Sequence, residues 1–121
     1  MSSRATLHIA LWVAVLAGAA PVMAANTGFM RDTAFSYFNE ADLKLFEAAF
    51  QDALNKAAVG ETRTWANAKT RSSGEIKLIG TFERDGQSCR TLNIANKAKT
   101  ASGSADYRFC KQASGKWALI Q

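Results

Sequence analysis

Residues 74–94 read GEIKLIGTFERDGQSCRTLNI, and the fold turns on this stretch. Across residues 74–83 apolar and polar side chains alternate, with Ile76, Leu78 and Phe82 on one face, which is the period of a half-buried strand. Asp85 and Gly86 then form a pair that tolerates the backbone of a tight hairpin turn. Residues 88–94 read as the return strand. The flanks extend this hairpin into a sheet. Residues 62–65 (TRTW) are short and β-prone, and residues 105–111 and 116–120 give two more strands around a Ser114-Gly115 turn. Between them, residues 97–104 read as a polar loop that contains Gly103.

Upstream the period becomes helical. Leu43, Phe46, Phe50, Ala53, Leu54 and Ala57 recur at spacings of three and four and paint one face of a helix. Asn39 is suited to cap it, and Asp42 stands at the third helical position, a variant of the capping box with an acid near the positive helix end. Glu40 with Lys44 and Asp52 with Lys56 are favourably ordered i,i+4 pairs, and Gly60 is a natural stop. The expectation is a helix over residues 39–58 and an α+β fold: one N-terminal amphipathic helix packed on a small, mostly antiparallel sheet of about five strands. Its core should join Leu43, Phe46, Phe50 and Leu54 to Ile76, Leu78, Leu92, Ile94 and Leu119. One point of register stays open. If Leu92 and Ile94 face the core, alternation turns Cys89 to the other face unless a bulge intervenes.

The chain of 121 residues is one small domain's worth. Residues 1–24 read as a secretory signal: Arg4 is the positive start, residues 7–20 are an apolar run, Pro21 breaks it, and Val22-Met23-Ala24 fits a cleavage site. The run is shorter than the roughly 20 residues of a bilayer span, so no transmembrane segment is expected once the signal is removed. Residues 25–38 form a lead-in whose Phe35, Tyr37 and Phe38 could fold back on the core, and residues 39–121 form the domain. Cleavage removes His8, the single histidine, and with it the imidazole for a triad, a metal or general-base work near neutral pH. Two cysteines in an exported chain, Cys89 and Cys110, favour a disulfide over free thiols, and no spacing suits zinc. The net charge of +5 is spread along the chain with acids interleaved, unlike the concentrated footprint of a nucleic-acid binder.

In order, the landmarks are the acid opening an Ala-rich helix, Gly60, Trp65-Ala66-Asn67, Gly74, Gly86, Cys89-Arg90, Cys110-Lys111 and Gly115-Lys116-Trp117. Over about residues 40–119 this order resembles the C-terminal domain of the rickettsial 17 kDa surface antigen family, whose pattern is W-x-N, a Gly-led strand, G-x-x-C-R and C-[RK]-x-x-x-G-x-W. The resemblance implies a bacterial cell-envelope protein. Members are often outer-membrane lipoproteins with a glycine-rich segment ahead of this domain. Here that segment is missing, and Ala19 follows Leu16-Ala17-Gly18 where a lipidated cysteine would stand, so no lipid anchor is expected there. A periplasmic protein, at most associated with the outer membrane, fits these departures.

The candidate contacts for a ligand or partner are Trp65 and Trp117 as stacking platforms, and Arg90 and Lys111 as cations for an anionic envelope component. Each has a packing or solvation role to set against it. An enzyme is disfavoured. The serines lack a histidine base, and among Glu75, Glu83, Asp85 and Asp106 no spacing singles out a carboxylate pair. The expected function is a non-catalytic structural or interaction domain of the envelope that needs no metal or cofactor, with an envelope protein or anionic envelope component as partner. The alternative is a periplasmic binding or inhibitor protein that uses residues 97–104 as an exposed loop; a small periplasmic hydrolase ranks lower.

Overall fold

In the computed structural model, which describes residues 34–120, Asn39 opens the first long element. Its side chain accepts from the Asp42 backbone N–H at 2.9 Å, and the Asp42 carboxylate accepts from the Asn39 N–H at 3.0 Å. This reciprocal pair satisfies two N–H groups left without partners at a helix start. Helix α1 spans Glu40–Lys56 and ends two residues short of the expected boundary. Five strands follow: β1 (Thr62–Asn67), β2 (Ser72–Arg84), β3 (Gln87–Ala98), β4 (Ala101–Lys111) and β5 (Trp117–Ile120). They lie in the order of the chain, each antiparallel to the next. The α+β architecture is therefore as expected. Residues 1–24, expected to be a secretory signal, and residues 25–33 of the lead-in lie outside the described residues.

Helix α1 covers one face of this meander. Phe46, Phe50, Ala53 and Leu54 are buried against Ile76, Leu78, Leu92, Ile94 and Phe109. Aromatic rings run through this layer in contact. Phe35 meets Phe46 edge-on at 5.3 Å, Phe46 stacks on Phe50 at 5.5 Å, and Phe50 meets Phe109 at 5.2 Å. Such pairs add about 0.5–1.5 kcal/mol each beyond simple burial. Phe35 and Phe38 of the lead-in pack on this core, whereas Tyr37 is exposed.

Three expectations are corrected. Leu43 is 37% exposed and belongs to the rim rather than the core, because it sits at the flank of the helical stripe. Phe82 does not share a face with Leu78. The β2–β3 register shifts between Leu78 and Gly80, so Ile79 is an extra, exposed residue, and Phe82 is carried to the helix-free face opposite Cys89. Residues 97–104 are not a loop. Strand β3 runs to Ala98 and β4 starts at Ala101, which leaves only Lys99 and Thr100 as a turn. Their small inward residues, Ala98 and Ala101, let the hairpin continue where composition suggested a break.

Candidate functional site

The register sets residues of β1–β4 in straight rows across the sheet. Thr64, Glu75, Ala95 and Ser104 form one row, and Trp65, Gly74, Asn96 and Gly103 form the next. The third row is Ala66, Ser73, Lys97 and Ser102. By alternation the middle row faces the helix, and the outer two rows face away from it. Their side chains are mostly small, and two members of the middle row are glycines. A cleft of about 530 Å³ results, lined by residues of all three rows. Its groups are serine and threonine hydroxyls, one carboxylate and one ammonium, a hydrogen-bonding surface of mixed charge.

Gly74 is required beneath this cleft. A Cβ there would stand nearer to Trp65 Nε1 than any real Cβ contact, 2.6 Å from Asn96 Oδ1 and 2.9 Å from Trp65 Cε2. Trp65 Nε1, a donor, and Asn96 Oδ1, an acceptor, are both buried and have no hydrogen-bond partner among the described residues. They therefore converge on one small space beside the Gly74 backbone.

The structure places each residue singled out from sequence. Trp65 is buried, its ring meeting Phe38 edge-on at 4.9 Å. Trp117 is buried too and donates from Nε1 to Asn55 Oδ1 at 2.9 Å, which ties β5 to α1. Lys111 lies with Nζ 5.9 Å from the centre of the Trp117 ring. Arg90 points under the helix end, where its guanidinium donates to the Ala57 carbonyl at 2.8 Å and the Ala53 carbonyl at 3.4 Å. A cation at this position satisfies orphan carbonyls and meets the negative end of the helix dipole. These four residues do not gather into one site: Trp65 stands on edge strand β1, Arg90 on the central strand β3, and Lys111 and Trp117 are paired across β4 and β5.

Cys89 and Cys110 form a disulfide, directly opposed across β3 and β4 with Cα atoms 4.0 Å apart. The β3–β4 ladder runs without a register shift, so alternation from Leu92 and Ile94 holds and the bridge sits on the helix-free face. It is buried there, in a cross-strand row with Phe82 and Ala118. That answers the question of face left open by the sequence.

Sequence reasoning missed a polar knot at the helix start. Buried Asp42 accepts from Asn67 Nδ2 at 2.8 Å and Thr70 Oγ1 at 2.7 Å besides its capping bond. Burial alone would raise its pKa. The bonds from the Asn39 backbone and from the Thr70, Asn67 and Ser72 side chains outweigh burial and hold the carboxyl below its ordinary value. The W-x-N triplet carried the signal, since Trp65 packs inward and Asn67 reaches the same end of the helix. Among the described residues no three His, Cys, Asp or Glu side chains gather as a metal-binding set.

The profile of the family described as 17 kDa outer membrane surface antigen matches residues 52–118, more than half of the chain. No curated protein and no solved structure gives a significant match. The matched segment runs from the second half of α1 into β5 and includes both cysteines, Trp65, Gly74 and Arg90.

Proposed function

The chain belongs to the 17 kDa outer membrane surface antigen family, which implies a place in the cell envelope, and from that premise we propose that it acts by binding rather than by catalysis. In this reading the protein is exported, works on the periplasmic side of the envelope, and holds an envelope partner against the helix-free face of its sheet. The cleft crossing β1–β4 carries the proposal, because it offers hydrogen-bond donors and acceptors on a face that α1 leaves uncovered. The chemistry of the lining agrees. Its serines have no histidine to activate them, since His8 is the only one in the chain, and both cysteines are held in a disulfide. A polar, open surface of this kind suits a transient interface better than a reaction that must exclude water. No helix among the described residues is long and apolar enough to cross a membrane. The inhibitor reading loses its projecting loop, because residues 97–104 are largely strand.

Site-specific photocrosslinking in intact cells tests the proposal. A crosslinking side chain at Thr64 or Ser104 should form a discrete adduct with an envelope component, and one at exposed Ala48 on α1 should not. Absence of adducts from the cleft positions, or equal adducts from Ala48, would overturn it.

A further inference from the structure

The two ends of the sheet build their turns differently. At the end holding the Asp85-Gly86 turn, the left-handed positions are mostly glycines: Gly60, Gly86 and Gly115 have φ of 92°, 78° and 88°. Asp85 shares that region at φ 51°, as the first residue of an Asp-Gly turn commonly does. At the opposite end, the left-handed positions are Arg71 (φ 57°) and Lys99 (φ 56°). Glycine would adopt this backbone freely, whereas a long side chain adopts it at a conformational cost. Both cost-bearing residues at this end are cations. Conformational outliers held by a fold are a motive to look for function.

These two turns and the start of α1 enclose an open cleft of about 630 Å³, lined by Lys69, Arg71 and Lys99 with hydroxyls of Thr70, Ser72 and Thr100. None of the three cations forms a salt bridge among the described residues. Among the described residues Asp42 is the single acid of this lining, and its oxygens already accept from Asn39, Asn67 and Thr70. Tyr37 lies alongside, 53% exposed, with Lys99 Nζ 5.8 Å from its ring centre. An amphipathic ring beside cations is the composition of a surface that meets lipid headgroups.

We propose that this cationic end of the sheet docks on an anionic lipid surface, with Lys69, Arg71 and Lys99 taking headgroup phosphates and Tyr37 lying at headgroup level. The cations come from two separate turns at one end of the sheet and line an open cleft, which suits several phosphates in a plane better than one enclosed anion. The proposal rests on the envelope reading only for the choice of a membrane, and it uses residues other than those of the β1–β4 cleft.

Cosedimentation of the purified protein with phosphatidylglycerol-containing vesicles, and with pure phosphatidylcholine vesicles, tests it. Binding should need the anionic lipid and weaken with salt, and the triple variant Lys69→Gln, Arg71→Gly, Lys99→Gly should bind at least about tenfold more weakly. Glycine suits both left-handed positions, so the melting temperature should change little, and a loss of binding would then be read on a folded protein. Paired Arg84→Gln and Lys116→Gln at the other end should keep binding nearly intact. Free glycerol phosphate should not displace the vesicles. Three results would overturn the proposal: no vesicle binding by the parent protein, equal loss in the Arg84/Lys116 variant, or displacement by glycerol phosphate, which would mark a pocket for a soluble phosphate. Vesicle binding that persists when cleft crosslinks fail would remove the partner reading and leave this one standing.

Discussion

Replacing Gly74 with alanine separates two opposed effects whose balance the structure decides. In an ordinary strand this change is favourable, because alanine narrows the unfolded ensemble by roughly 0.4–1 kcal/mol. Here the added methyl would meet Trp65 Nε1 and stand 2.6 Å from Asn96 Oδ1. Neither neighbour is a free side-chain end. Trp65 is 6% exposed and held between the Phe38 and Phe46 rings, and Asn96 is 2% exposed. Relief therefore requires the indole to shift within a packed core, and overpacking of this kind costs about 1–3 kcal/mol. The expected net result is a loss of roughly 1–2 kcal/mol, or several degrees in melting temperature for a domain of this size. Urea denaturation followed by tryptophan fluorescence measures it. Trp65→Phe removes the atoms nearest the new methyl, so the double variant should be less damaged than the two single losses together imply. A neutral or stabilising Gly74→Ala would refute the reasoning, because it would mean that the ring and amide yield without cost.

Three further outcomes follow from the same structure. Reduction of Cys89–Cys110, which closes a separation of 21 residues, should remove roughly 3 kcal/mol of stability, and thiol alkylation under denaturing, non-reducing conditions should find no free cysteine. Phe50→Ala should cost about 3–5 kcal/mol by chemical denaturation, whereas Leu43→Ala at the exposed rim should cost less than about 1 kcal/mol. Asp42, held below its ordinary pKa of 3.8, stabilises the fold fully above that value and loses its contribution as pH falls through its folded pKa; the acid limb of a stability–pH profile should therefore be shallower in Asp42→Asn.

Legibility in the sequence followed the range of each interaction. The helix, its capping pair and the central hairpin were readable because their signals are local, from the period of Phe46, Phe50 and Leu54 to the Asp85-Gly86 turn. The disulfide was readable from the even cysteine count together with the expectation of export. What could not be read depends on residues distant in sequence. The Ile79 bulge is a property of β2 against β3, and without it Phe82 is assigned to the wrong face. Asp42 looked like a helix cap alone because its other partners, Asn67 and Thr70, lie 25 and 28 residues away. Arg90 looked like a free surface cation, and only the packing of α1 shows the carbonyls it serves. The β1–β4 cleft was illegible for the same reason, since it arises from four strands whose small residues fall in register.

This pattern bears on where binding chemistry is to be sought. The residues that carry the family resemblance mostly fasten the fold. Trp65 and Gly74 interlock, Asn67 ties the β1–β2 hairpin to the helix start, and Arg90 ties β3 to the helix end. Cys89 and Cys110 staple β3 to β4, and Trp117 secures β5 through Asn55. Substituting any of them should damage stability first and binding only as a consequence. The hydroxyls of the cleft and the cations Lys69, Arg71 and Lys99 bear the opposite signature: they are mostly exposed, and several can be changed without opening the core. A set of variants scored for both melting temperature and binding should therefore fall into two groups. A fastening residue that lost binding at full stability would break this division and return the tryptophans and Arg90 to the interface.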